Sequence, residues 1–429
     1  MSDQSESTQQ TPTPPPEKRS LIQRIFVRRG VRDTVLIPIL AIITAMLVGG
    51  VIIAISTPAV LEAWRNFFQA PLAAIKITIQ TVWDAYAALF VGAFGSPTEI
   101  VNGFRTWIQT GNSVPLVRAL RPIGESLMLT TPYIFAGLAV ALGFRGGLFN
   151  IGAEGQIFVG GLAAAFVGYA VKGLPAIIHL PLALLAAILA GAVWAAIPGF
   201  LKARYGAHEV INTIMMNYIA FRLADYLLQG PMARPDRLPI TPDVLKSAWL
   251  PALLPAPVRV HLGLFIALIM AWVVYWFLWK TPRGMEIRMV GANPHAARYA
   301  GIRIAMIIVL TMSLSGALAG MAGANQVLGV EHRMVRAFSS GYGFDSIALA
   351  LLGNSHPLGV VLSSFLFGFL RGGAAQMQAT TGVPIEIIKI IQGLIIIFVA
   401  APEIIRSLYR IKPKEEKEKL VAKEVQSSS

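Results

Sequence analysis

Nine stretches of this chain are apolar over roughly the length of a bilayer crossing, which rules out any fold that must meet water on every side. They lie at about 35–55, 126–143, 155–172, 177–200, 208–229, 262–280, 305–328, 356–370 and 384–405. Only 14% of the 429 residues are charged and 55% are hydrophobic, whereas a soluble domain carries about 25% charge. The expected fold is all-α: a polytopic transmembrane helical bundle of about 9–10 spans with discontinuous helices. The tenth is the short run Phe344–Gly353, too short to cross alone and read as half of a broken helix. Residues 72–94 are weaker, because Lys76, Gln80 and Asp84 fall at i, i+4 and i+8 on one helical face. They are expected as an interfacial or packed helix outside the membrane.

The net charge of +14 would suit a nucleic-acid partner if the basic residues shared one polar face. They sit instead in short clusters beside the apolar runs. These are Lys18 to Arg32, the group Lys202, Arg204 and His208, the stretch Lys280 to Arg303, and Arg406 to Lys414. That is the positive-inside pattern of a membrane protein, and nucleic acid is excluded. It places both termini and a loop at about 281–304 in the cytoplasm, with 56–125 and the Pro-rich 230–261 outside. The latter is expected to form a small cap with short helices. The chain divides into a disordered, basic tail at 1–34, a membrane domain at 35–410 and a charged tail at 411–429. The first apolar run is too long for a signal peptide and shows no small-residue cleavage site, so it reads as an uncleaved span.

Several chemistries are excluded. No cysteine is present, so there is no disulfide, thiolate ligand or Cys nucleophile. No GxxxxGK[ST] occurs, and the chain has no P-loop for ATP. No GxSxG occurs, and the six histidines form no metal spacing. At "HEVIN" the second histidine of a zinc motif is replaced by Asn212. A membrane enzyme using Glu154 or His208 as acid/base lacks a nucleophile pair, and the chain is expected to be neither catalytic nor metal-binding. The near absence of Asp and Glu from the spans argues against a proton-relay pump.

What remains is a set of polar residues in an apolar setting. The stretch Phe144–Gly161, "FRGGLFNIGAEGQIFVGG", holds six glycines together with Arg145, Asn150, Glu154 and Gln156. Irregular backbone at membrane depth survives only where protein or a water-filled cavity covers it. The stretch is therefore a break between two spans, either a gate or pocket or a tight turn whose polar groups satisfy one another. Asn212 and Asn217 lie in the following span, where Asn217 either contacts a ligand or bonds a neighbouring helix. Asn325, Gln326, Asp345 and Asn354 form a third set around the short run, with Asp345 expected to cap its start. Gly316 and Gly320 have GxxxG spacing and are expected in a close helix contact. The two breaks hint at a weak internal repeat. In the basic loop, Asn293 suits an N-cap, Pro294 the first turn and Gly301 the C-cap of a two-turn helix.

"GLAVALGFRGGLFNIGAEGQIFVGG" (137–161) resembles the permease subunits of bacterial ABC importers, the branched-chain amino acid, ribose and nucleoside type, on the nucleoside and simple-sugar branch. So do "GAFGSP" (92–97), "HEVINTIMMNYIA" (208–220), "GANPHAARYAGI" (291–302) and "LALLGNSHPLG" (349–359), in the family's order over about 35–405. The resemblance implies that Asn293, Pro294, His295, Ala296, Ala297, Arg298, Tyr299, Ala300 and Gly301 form the coupling helix that docks on a cytoplasmic ATPase subunit. It implies a second, paralogous permease, an external substrate-binding lipoprotein, a location in the bacterial plasma membrane, and alternating access. ATP and Mg would be used by the ATPase, with no cofactor on this chain. Asn150, Glu154, Gln156, Asn212, Asn217, Asn325, Gln326, Asp345 and Asn354 would line the substrate path or gate. The uncharged polar inventory favours nucleosides or sugars over branched-chain amino acids, and the docking stretch argues against a stand-alone secondary transporter.

Overall fold

The computed structural model describes residues 29–410 apart from 237; of the expected tail at 1–34, residues 29–34 are already helical and the rest lies outside the described residues, as does the expected tail at 411–429. Among the described residues seventeen α-helices follow one another. The first five are α1 (Arg29–Ser56), α2 (Pro58–Arg65), α3 (Pro71–Phe94), α4 (Pro97–Thr110) and α5 (Val114–Ala119). Next come α6 (Arg121–Arg145), α7 (Ala153–Ala170), α8 (Ala176–Tyr205), α9 (Glu209–Gln229), α10 (Gly263–Lys280), α11 (Pro282–Ala292) and α12 (Pro294–Tyr299). The last are α13 (Ile304–Gln326), continued by a π-helix at Val327–Glu331, α14 (Tyr342–Leu352), α15 (Pro357–Thr381), α16 (Glu386–Ala400) and α17 (Pro402–Leu408). Proline opens α2, α3, α4, α11, α12, α15 and α17, at the position where its missing N–H costs nothing and its fixed φ suits the helix.

The centre of the bundle is α6, whose residues from Thr130 to Gly143 are all buried. A helix apolar on every side must be enclosed by others, and α7, α10, α13, α14 and α15 pack around it. The tightest seam joins α8 and α13. There Gly316 and Gly320 lie against Gly191 and Ala187, so close that a Cβ on Gly320 would collide with the Ala187 carbonyl. The GxxxG expectation is met here, since in lipid the gain comes from backbone approach and not from apolar burial. A second cluster, with Ile53, Leu89, Met377, Ile388 and Ile391, binds α1, α3, α15 and α16.

Seven described helices are long and apolar enough to cross a membrane, or eight if the bent pair α16–α17 counts as one. The expected 155–172 and 208–229 appear as α7 and α9 but are outside that set, because α7 carries the buried Glu154 and Gln156, and α9 carries Asn212, Asn217, Arg222 and Asp225, of which Arg222 is exposed. The opposite difference concerns residues 72–94, expected outside the membrane. The stretch Pro71–Thr110, α3 with α4, is among the seven, and α3 packs on α15. Lys76, Gln80 and Asp84 are exposed together as their spacing requires, but the rest of α3 is apolar enough to outweigh them.

The expected cap at 230–261 has less helix than anticipated, one 3-10 turn at Lys246–Ala248. Its prolines lack N–H donors and hold the chain extended. Backbone bonds tie it to the frayed end of α13: Val244 N–H to His332 O (2.8 Å) and Leu250 N–H to Leu328 O (2.9 Å). This cap end of the bundle is opposite the end that carries α12.

Replacing Gly320 by Leu is expected to force α8 and α13 apart, costing at least about 1–3 kcal/mol by overpacking. Thermal unfolding of the purified protein in detergent checks this; an unchanged melting temperature would show that the seam tolerates a side chain.

Candidate functional site

The break between α6 and α7 is held from three sides. After Arg145 the chain doubles back, with Leu148 N–H bonded to Gly143 O at 2.9 Å. Asn217, from α9, uses both ends of its amide on the break. Its Oδ1 accepts from Gly155 N–H (2.8 Å) and its Nδ2 donates to Ile151 O (3.0 Å). Asn150 and Gln156 bond each other through both amide groups, at 3.0 and 3.1 Å. Asn150 also donates to Ser315 Oγ (2.9 Å) and accepts from Gly152 N–H (2.9 Å). Asn150, Gln156 and Asn217 are therefore buried and turned onto backbone and one another.

Glu154 joins this break to the second one. Its Oε2 accepts the N–H of Gly343, in the first turn of α14, at 2.6 Å. That first turn has unpaired N–H groups and a positive dipole end, so a carboxylate is a fitting partner. Gly343 has to be glycine because a Cβ there would collide with the backbone of Glu154. Asp345, expected to cap α14, does not: Gly341, at φ 87°, is the N-cap and no side chain of the helix itself closes it. The cap comes from another helix, which sequence spacing does not reveal.

Asp345 points elsewhere. Its Oδ2 accepts from Tyr133 Oη–H at 2.6 Å, and Tyr133 in turn accepts from Arg371 Nη1 at 2.8 Å. Arg371 also donates to Ser340 O (3.1 Å) and lies over the ring of Tyr342, 4.8 Å from its centroid. Sequence reasoning missed Arg371 and Tyr133. The available signal was a lone arginine in "FLFGFLRGGAAQ", one residue past the point where the apolar run was ended.

At the α12 end, Asn354 and Ser355 adopt the left-handed region (φ 51° and 48°), and Arg145 holds their carbonyls at 2.8 and 2.9 Å. Arg145 and Arg288 also flank the ring of Trp279, at 5.5 and 5.6 Å. Gly147 of the break touches Gly291 of α11, backbone to backbone. Helix α12 follows α11. Asn293 caps α12 through Oδ1, which accepts from His295 N–H (2.9 Å) and Ala296 N–H (3.1 Å), and Gly301 (φ 79°) follows its end. His295, Ala296, Arg298, Tyr299 and Ala300 are exposed with Pro294, whereas Ala297 is fully buried. Ala297 anchors the helix and is no part of its outer surface.

The remaining expected residues are dispersed. Asn212 is half-buried with its Nδ2 unpartnered. Asn325, 2% exposed, lacks a partner at both amide atoms, and Gln326 beside it is buried at the start of the π-helix. His261 of the cap packs against Gly263 and Gly329 near Asn325, with its Nε2 unpartnered. Burial, together with nearby His332, pushes the His261 imidazole down to about 4, so it is neutral at ordinary pH. No group of three or more His, Asp or Glu able to hold a metal occurs among the described residues.

Residues 123–400 match the family described as branched-chain amino acid transport system, permease component. A guanosine ABC transporter permease of Bacillus subtilis is 46% identical over 289 residues, 66% of this chain and 82% of its own length. A glucose ABC transporter permease of Haloferax volcanii is 34% identical over 384 residues, 87% of this chain and 89% of its own. A nucleoside ABC transporter permease of Lactococcus lactis is 30% identical over 381 residues, 86% of this chain and 92% of its own. No solved structure matches the chain.

Two predictions arise from this geometry. Asn217→Leu would strand the Gly155 N–H and the Ile151 carbonyl, at about 1–3 kcal/mol each, and is expected to lower the melting temperature; a wild-type value would mean the break does not need the amide. A histidine kept neutral by the fold takes up a proton more readily when unfolded, so stability falls with pH below about 6.5 and continues to fall toward about 4. His261→Gln should flatten that part of the stability-against-pH curve.

Proposed function

The chain belongs to the branched-chain amino acid transport system permease family, and from that premise we propose that it carries nucleosides or simple sugars. It is a membrane-spanning permease subunit of an ABC importer. Relatives named for guanosine, nucleosides and glucose support the substrate class, two of them covering 86–87% of the chain. A branched-chain amino acid substrate, which the family description would suggest, has weaker support: a zwitterion calls for charged partners or exposed helix ends, and the end of α14 facing the break is already occupied by Glu154.

In this reading α12 docks on a cytoplasmic ATPase subunit, which binds the ATP and Mg that this chain has no P-loop to hold. The exposed α12, capped at both ends and anchored by one buried alanine, is the observation that carries the docking role. The cap end faces outward and receives ligand from an external binding lipoprotein, and a second, paralogous permease completes the path. The side chains of Asn150, Gln156 and Asn217 have their polar groups bonded within the protein, so the 144–161 segment works as a gate frame and not as a pocket. Movement of α12 reaches this frame through α11, whose Gly291 abuts Gly147. It would pass to α14 through the Glu154–Gly343 bond. The frame changes state while the ligand passes elsewhere.

Arg298→Glu combined with Tyr299→Asp alters only exposed side chains of α12. It is expected to abolish uptake by the assembled complex while expression and melting temperature stay near wild type. Normal ATP-dependent uptake would remove the docking role. The substrate class is tested by uptake of labelled nucleosides, pentoses, hexoses and branched-chain amino acids; transport of the amino acids alone would overturn it.

A further inference from the structure

Among the described residues, Arg371, Tyr133 and Asp345 form a polar network that is held in place yet left open. Arg371 stands on α15 roughly 21 Å from the Pro357 end and roughly 15 Å from the Thr381 end, at 1.5 Å per residue. That is close to mid-depth for a crossing helix. Its side chain is 25% exposed and that of Asp345 is 38% exposed, 3.7 Å apart. Phe344 and Ala375, next to them in sequence or one helical turn away, are exposed as well, and Lys389 on α16 lies near enough to act on the charge of Asp345.

Charged side chains at this depth do not face lipid; they face protein or a water-filled cavity. Both charges also retain hydrogen-bonding capacity. Arg371 donates to Tyr133 Oη and Ser340 O, which leaves three of its five N–H groups. The second carboxylate oxygen of Asp345 accepts from nothing among the described residues. The arginine cannot swing away, because the ring of Tyr342, the Tyr133 hydroxyl and the Ser340 carbonyl fix its plane. A fixed donor and a fixed acceptor are thus presented side by side, neutral as a pair.

We propose that Arg371 and Asp345 line the water-filled passage and hydrogen-bond the vicinal hydroxyls of a neutral sugar moiety as it crosses, one hydroxyl accepting from Arg371 and its neighbour donating to Asp345. The ribose of a nucleoside and a free hexose both supply this diol. The assignment rests on the importer function proposed above for its ligand class, and on geometry alone for the location of the passage.

The chain has no cysteine of its own, so single cysteines report directly. Phe344→Cys and Ala375→Cys are placed beside the network, and Val193→Cys, on an exposed apolar part of the membrane-length helix α8, is the control. In membranes containing the assembled complex, a small charged thiol reagent is expected to label the first two and not the third. Failure to label either would show a dry contact, with lipid or with the second permease, and overturn the proposal whatever the substrate. Uptake is then compared between a ligand and its 2-deoxy counterpart, either ribonucleoside against 2′-deoxyribonucleoside or glucose against 2-deoxyglucose, at concentrations that saturate the binding protein. Loss of one hydroxyl is expected to lower the efficiency of the wild type about tenfold, and Arg371→Gln and Asp345→Asn should bring the ratio toward one. Both variants use the same binding protein, so a changed ratio belongs to this chain, and a purely structural role would lower both uptakes equally. An unchanged ratio in both variants would overturn the diol contact. Uptake of neither ligand pair by the wild type, with labelling intact, would overturn the substrate class and with it the diol, while leaving the passage where the labels place it.

Discussion

The fold depends on satisfying backbone groups where helices break inside an apolar body. A peptide N–H left unpaired there costs several kcal/mol, and this chain breaks two of its spans. The bond from Gly343 N–H to Glu154 answers for the second and ties it to the first, since it caps the start of α14 with a side chain from the start of α7. Asn217 does the same for α7, and the amide pair of Asn150 and Gln156 closes the turn beneath it. The glycines at these places are spatial requirements more than flexible joints: Gly343 exists so that Glu154 can approach, and Gly147 so that α11 can.

This explains which parts of the site were legible in the sequence. Capping is local, so Asn293, Pro294 and Gly301 announced α12 within a few residues, and the observed hydrogen bonds follow that grammar. GxxxG spacing is equally local and marked the α8–α13 seam from one side. The polarity of Asn150, Glu154, Gln156 and Asn217 was visible as well, but their partners were not. Asn217 bonds residues 62 and 66 positions away, and Glu154 one 189 away. At such distances a polar residue in a span reads equally well as ligand contact or as internal strut. Asp345 shows the reverse error: its place in the first turn of α14 suggested a cap, while its carboxylate is turned to Tyr133, 212 residues away.

Arg371 was missed, and α3 was expected as a helix outside the membrane, because charge within an apolar stretch is ambiguous. A window that scores apolar runs stops at the first charge, so the run in α15 was ended just short of Arg371, and the polar spacing of Lys76, Gln80 and Asp84 outweighed the apolar remainder of α3. In both cases polar residues were read against the apolar sequence around them. In a bundle a charge marks the edge only if nothing else can cover it, and tertiary neighbours decide that. Arg371 has an aromatic ring, a hydroxyl and a carbonyl around it, which sequence alone does not assemble.

The polar groups of the bundle therefore include two classes. Those whose hydrogen-bonding capacity is spent inside the protein hold the breaks, and they connect the α12 end to α14 through α11, Gly147 and Glu154. The partly exposed pair with capacity left over, Arg371 and Asp345, sits on α15 and α14, while the unpartnered amides of Asn212 and Asn325, on α9 and α13, belong to neither class. Helix α14 belongs to both classes: its first turn is gripped by Glu154, and three positions from its start Asp345 meets Tyr133 and, through it, Arg371. In the proposed reading, a short helix gripped at Gly343 and presenting Asp345 two residues later is a direct means of converting movement of the gate frame into a change of the groups a ligand meets. The same carboxylate-to-backbone bond that makes the broken helices tolerable in an apolar interior thereby makes them mechanically continuous.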